Sequence, residues 1–111
     1  MALKHKTPQN DYLFKAILSL ETEEDCYNFF EDLCTFREIE EMSNRLCGAK
    51  MLSDEVVYTA ITEKTGISTA TISRINRCLK YGNGGYAKVI DKLNSMGIQG
   101  PYSTEKDNKD E

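Results

Sequence analysis

Apolar positions along the chain recur at the three-and-four spacing of helices, so five or six helices and no strand are expected. Residues 1–10 read as a flexible polar leader ending near Pro8. From Asp11 to Leu20 the residues Leu13, Phe14, Ile17, Leu18 and Leu20 make a broad apolar stripe that has to be buried. Thr22 with Asp25 resembles a capping box. The helix it opens sets Cys26, Phe29, Phe30, Leu33 and Cys34 on one face. Thr35 with Glu38 is a fuller capping box. It opens a long helix with Ile39, Met42, Leu46 and Ala49 inward, reaching about Leu52. Gly48 lies inside that helix, where glycine costs about 1 kcal/mol relative to alanine and weakens the case for continuity.

After a short joint at Asp54–Val57, the pattern changes character. A helix is expected over Tyr58–Thr65, then a tight turn at Gly66, then a second helix over Thr69–Lys80 with Ser68 as its cap. Ile61 packs the first of these helices, Ile67 plugs the turn, and Ile72, Ile75 and Leu79 face back from the second. This pattern holds two helices at a fixed crossing and leaves the opposite face bare, as in a helix-turn-helix. The bare face carries Ser68, Thr69, Ala70 and Thr71 at its start, then Ser73, Arg74, Arg77 and Lys80. Small side chains at a helix start let the backbone approach base edges, and methyl and hydroxyl groups can meet thymine methyls and polar base edges. Arg74, Arg77 and Lys80 suit phosphate contacts, which outnumber base contacts in such complexes. Gly82-Asn83-Gly84-Gly85 breaks the chain. A last helix over Tyr86–Met96 turns Val89, Ile90 and Leu93 inward and stops at Gly97. Residues 98–111 read as a polar, disordered tail, leaving 11–97 as one domain.

Charge sharpens this division. The net charge of −4 by itself argues against a polyanionic partner. The acids, however, crowd into Glu21–Glu41, whereas Thr65–Ile90 holds Arg74, Arg77, Lys80 and Lys88 and no acid. Phosphate contact responds to the local field, so the acid-free segment weighs more than the total. The acidic face would equally suit docking of a basic protein. An interaction adaptor without DNA binding is therefore the alternative to a DNA-binding regulator.

Other chemistries find little support. Cys26, Cys34, Cys47 and Cys78 make no C-x-x-C pair and sit on apolar stripes, so buried free thiols are expected rather than disulfides or a metal site. Neither a nucleophile–base set nor a glycine-rich phosphate loop appears, so no enzyme and no cofactor are expected. No apolar run approaches the roughly 18 residues of a membrane span, and no secretory signal opens the chain, which makes the cytoplasm the default compartment. Three apolar helices precede the reading unit, more hydrophobic surface than a small domain covers alone. A homodimer with paired half-sites is the expected assembly.

Thr65-Gly66 followed by Thr69-Ala70-Thr71-Ile72-Ser73-Arg74 resembles the recognition helix of the Trp repressor. Thr35 to Leu46, with its threonine cap and Arg45, resembles the start of that repressor's central helix. Phe29-Phe30-Glu31-Asp32-Leu33-Cys34-Thr35 and Asn76-Arg77-Cys78-Leu79, ahead of Tyr81-Gly82-Asn83-Gly84-Gly85-Tyr86, are similar to the YerC/YecD branch of the Trp repressor superfamily. The resemblance runs over Asp11–Leu93 and implies an all-α, intertwined homodimer of Trp repressor-like fold that regulates transcription, with double-stranded DNA as its partner. It places Thr69, Ala70 and Ser73 against the operator, and Thr35, Arg45, Thr71 and Arg74 around an effector pocket. Two positions depart from the repressor. Ile75 replaces the glycine whose bare backbone the indole lies against, and Cys78 replaces a pocket serine. Overpacking of this sort costs roughly 1–3 kcal/mol, so the resemblance does not extend to tryptophan as effector.

Overall fold

The computed structural model describes residues 5–102, and among them every regular element is an α-helix. In chain order these are α1 (Pro8–Leu18), α2 (Glu23–Leu33), α3 (Phe36–Ser53), α4 (Tyr58–Thr65), α5 (Thr69–Tyr81) and α6 (Gly85–Ser95). The described residues fall into two compact units, divided between Ile39 and Glu40.

The first unit carries α1 and α2. Helix α1 begins at Pro8, earlier than the sequence pattern indicates, because Thr7 caps it. The Thr7 hydroxyl accepts the Asn10 N–H at 3.0 Å, and Pro8 at the first helical position has no N–H to leave unpaired. Residues 8–10 of the expected leader are thus helical, while residues 1–4 lie outside the described part. The Thr22/Asp25 capping box is present in both directions, as is the Thr35/Glu38 pair that opens α3. The apolar stripes, expected to be buried, are only partly covered within the chain: Leu13, Ile17, Phe29 and Phe30 are half-buried. Neither α1 nor α2 contains a buried residue, and Tyr12, Phe14, Leu18, Tyr27 and Leu33 stand half or more exposed. The thiol expectation fails in part for the same reason: Cys26 on α2 is exposed and Cys34 half-buried.

The second unit holds the core. Met51, Val56, Ile61 and Ile72 form one buried cluster, with Ile67 and Tyr102 packed on it. Ala49, Ile75 and Ile90 form a second, with Leu79 and Tyr86 at its edge. Together they tie α3 to α4, α5 and α6. Helix α3 runs unbroken past Gly48, and its end is a Schellman turn: Glu55 N–H donates to Leu52 O at 2.9 Å and Val56 N–H to Met51 O at 3.0 Å. Glu55 occupies the left-handed position at φ 65°, which glycine normally fills. Beyond α6 the chain is not a free tail. Ile98–Tyr102 runs back over α3, with Gly100 against the Lys50 stem and the Tyr102 ring on the first cluster. Residues 103–111 of the expected tail lie outside the described part.

Candidate nucleic-acid interface

The helix-turn-helix is built from α4, the Gly66–Ser68 turn and α5. Gly66 ends α4 at φ 80°, where a β-carbon is disfavoured, and its N–H donates to Thr62 O at 2.7 Å. Thr65 is buried, and its hydroxyl works twice at the corner. It donates to Ile61 O at 2.7 Å and accepts the Ile67 N–H at 3.3 Å. The turn is thereby pinned from the α4 side. From the α5 side, Ser68 accepts the Thr71 N–H at 3.2 Å and donates its own proton to the Thr71 hydroxyl at 3.1 Å. This satisfies one of the four N–H groups left open at the start of the helix.

Helix α5 is divided lengthwise. Ile72 and Ile75 are buried, and Leu79 is half-buried on the same side. Ser68, Thr69, Ala70, Ser73, Arg74, Arg77 and Lys80 are all exposed, and Thr71 is half-exposed at the boundary. All eight residues proposed from sequence for DNA contact thus lie on α5 or at its cap, with their exposure intact. Among the described residues, none of these arginines and lysines enters an ion pair with a carboxylate. The ion pairs Lys6–Asp11 and Lys50–Asp54 involve none of these residues. An uncommitted cationic edge beside the amino end of a helix, with no acid in the segment, is suited to a polyanion.

The second candidate set fares differently. Arg45 and Arg74 are exposed and Thr71 is engaged with Ser68, while Thr35 belongs to the other unit, where its hydroxyl caps α3. Arg45 lies within electrostatic reach of Tyr86, as does Cys78. Burial raises the Tyr86 phenol above its ordinary value, the Arg45 guanidinium pulls it back, and the Cys78 thiol adds a small rise. Ile75 is 3% exposed and lies in the cluster with Ala49 and Ile90. Its Cδ1 approaches to 3.7 Å from where a Gly48 β-carbon would stand. The volume between α3 and α5 at this level is therefore occupied by the chain's own side chains. Cys78 is exposed and Cys47 half-buried, so no cysteine is the fully buried thiol that its apolar stripe suggests. Burial nonetheless pushes the Cys47 thiol upward.

No group of three metal-ligating side chains occurs among the described residues, and no helix there is long and apolar enough to cross a membrane. The contact that sequence reasoning missed is the return of the chain to the reading unit through Tyr102. Its signal was present in Ile98, Pro101 and Tyr102, three large or rigid residues in a stretch otherwise read as polar.

Comparison with known proteins bears on this arrangement. The family model described as Trp repressor protein matches residues 8–94. The uncharacterized protein YerC of Bacillus subtilis (strain 168) is 51% identical over 83 residues, which cover 75% of this chain and 80% of YerC. A solved TrpR-like protein from Eubacterium eligens superposes with a TM-score of 0.79 at 53% identity, covering 82% of this chain and 94% of that one. A Staphylococcus aureus protein assigned provisionally as a Trp repressor gives 0.76 at 45% identity, covering 87% and 94%. With six helices in this order, an exposed polar face on α5 and these matches, the chain belongs to the Trp repressor family, alongside YerC.

Proposed function

We propose that the protein is a sequence-specific DNA-binding transcriptional regulator that works as a homodimer and represses by occupying promoter DNA. One observation carries the reading: α5 is anchored by Ile72 and Ile75 on one side and presents only small, hydroxyl or cationic side chains on the other. In this reading the first turn of α5 enters the major groove. Thr69, Ala70 and Ser73 meet base edges there, and Arg74, Arg77 and Lys80 meet the flanking phosphates. Two copies would present two such helices to successive grooves on one side of the duplex. The reading does not include tryptophan as effector: the resemblance puts the indole against a glycine where this chain has Ile75, which is buried with Ala49 and Ile90.

Selection of genomic fragments by the purified protein, followed by mobility shifts over a salt series, tests the reading. The expected result is enrichment of a palindromic site without added metabolites and an affinity that falls steeply as salt rises. Absence of a shift at low salt, with and without tryptophan, would remove DNA as the partner and leave the acidic Glu21–Glu41 face as a docking surface for a basic protein.

A further inference from the structure

Helix α5 is held at its start by Ile72, in the cluster with Met51, Val56 and Ile61, and further along by Ile75, in the cluster with Ala49 and Ile90. The second hold is short of material on the α3 side. At the level of Ile75, α3 offers Gly48 and Ala49, neither of which carries more than a methyl group. The space is filled from α5 and α6 instead, by Ile75, Ile90 and the half-buried ring of Tyr86, which packs against this cluster. The Tyr86 hydroxyl lies within electrostatic reach of Arg45 on α3 and of Cys78 on α5. One ring carried by α6 thus stands beside both of the other helices. We propose that Tyr86 is a positioning residue for the recognition helix: its ring is the wedge that fixes the tilt of α5 against α3, and with it the fit of Thr69, Ala70 and Ser73 to base edges. The inference rests on the DNA reading proposed above and adds to it a residue outside the DNA-facing set.

Three observations single out this side chain. First, the loop that delivers it permits little else. A β-carbon at Gly82 would stand 2.5 Å from the Cys78 carbonyl oxygen, a backbone atom that cannot turn away, and Gly84 sits at φ 85°. Residues 82–84 therefore lead directly from the end of α5 at Tyr81 into α6, with Tyr86 in its first turn. Second, an aromatic ring suits a spacer. Tyrosine covers a large area with only two side-chain torsions, so it holds a distance more sharply than a flexible aliphatic chain.

Third, the geometry gives leverage. Helix α5 rises about 10 Å from Ile72 to Leu79, which packs on the same cluster as Tyr86. Closing a gap of about 2 Å at the Leu79 end would tilt α5 by roughly 11° about Ile72 and carry Thr69 about 1 Å the other way. Binding constellations tolerate displacements of only about 0.5 Å. Base-edge contacts would be lost, whereas long arginine and lysine side chains can follow the phosphates. The wedge therefore governs discrimination between sites more than attraction to DNA as such.

Tyr86→Ala removes the ring and leaves the charge of the chain unchanged at neutral pH. Anisotropy titrations should show affinity for a selected operator down roughly tenfold, affinity for random duplex within about twofold of the parent, and an unaltered salt slope. Tyr86→Phe returns the ring without the hydroxyl and should restore operator affinity to within about twofold. A loss shared equally by operator and random DNA, or one that phenylalanine does not repair, would overturn the wedge. Amide hydrogen exchange without DNA reads the seat of α5 directly. In Tyr86→Ala, exchange over residues 75–81 should quicken by roughly tenfold while that of α4 stays as in the parent. An even rise across the second unit would show that the ring only stabilises the fold, and would overturn the proposal. Where alanine prevents folding, Tyr86→Leu keeps apolar bulk without the ring and is held to the same outcomes. If exchange changes in α5 alone but no variant, parent included, binds DNA, the functional reading fails while the wedge stands.

Discussion

Replacing Ser68 separates two roles that meet at one hydroxyl. Its oxygen caps α5 by accepting the Thr71 N–H at 3.2 Å, and the same atom stands exposed at the helix end that is proposed to face DNA. Ser68→Ala removes the cap without opening a cavity, because the side chain is exposed. The expected loss is about 1 kcal/mol of stability. For a domain of this size that is a fall of roughly 4–8 °C in melting temperature at fixed protein concentration. Ser68→Asp behaves differently. Aspartate caps as well as serine and suits the positive end of the helix, so stability should be kept or slightly raised. Against a phosphate about 5 Å away, however, its charge costs about 0.8 kcal/mol at a water-like dielectric and about 3 kcal/mol at an effective value of 20. With two recognition helices per dimer, affinity should fall by at least about tenfold. Melting curves and fluorescence anisotropy with a selected operator read the two effects separately. A Ser68→Asp protein that is stable and binds DNA as tightly as the parent would refute the orientation of α5. One that melts as early as Ser68→Ala would refute the cap.

Other substitutions address the remaining assignments. Arg77→Ala should weaken binding to all sequences about equally and reduce the salt slope by about one phosphate contact; an unaltered slope would remove Arg77 from the phosphate set. Thr69→Val should change the ranking of sites, by roughly 1–3 kcal/mol at a favoured base, and a uniform loss would show that Thr69 does not read sequence. Glu55→Gly relieves a left-handed residue at the end of α3 and should raise stability by about 1 kcal/mol, seen as a later denaturant midpoint. The pH dependence has a definite sign. Tyr86 and Cys47 are both raised by burial, so the folded state holds their protons more tightly than the unfolded chain. Stability is complete below the ordinary values of 9.0 for Cys47 and 10.0 for Tyr86 and is lost as pH rises through the raised ones. Unfolding titrations should show Tyr86→Phe losing less stability than the parent above pH 10.0.

The reading unit was legible in the sequence because its forces are local. The Ile61, Ile67, Ile72 and Ile75 pattern, Gly66 and the Ser68 cap act within a few turns of each other. Capping boxes at Thr22 and Thr35 were legible for the same reason. What was obscure depends on distant partners. The stripes of α1 and α2 announce burial without naming a cover, and a single chain covers them only in part. Cys26 and Cys78 sit on apolar stripes, but their surroundings within the chain leave both exposed. The return of Ile98–Tyr102 over α3 was obscure because Ile98, Pro101 and Tyr102 carry no period, and only the surface they settle on gives them a conformation.

Gly48 shows how a local reading can find a residue and miss its purpose. By propensity alone it is a flaw in α3, worth about 1 kcal/mol against alanine. In the fold the turn of the reading unit packs against that helix here. A β-carbon there would stand 3.0 Å from Ile67 Cδ1, 3.7 Å from Ile75 Cδ1 and 3.8 Å from Ile61 Cγ2. Gly48→Ala sets the helical gain against a terminal methyl that can rotate, because Ile67 is only half-buried, and the sum should lie within about 1 kcal/mol of neutral. Gly48→Val adds two further carbons to the same space. It should destabilise by about 1–3 kcal/mol and push Ile67 outward, tilting the start of α5. DNA affinity should then fall further than the melting temperature alone accounts for, since Ile67 is the residue between the cap of α4 and the cap of α5. If the valine variant matched the parent in both melting temperature and operator affinity, close approach would not be the reason for glycine at this position. The seating of the recognition helix would then have to be sought elsewhere than in the packing of Ile67 on α3.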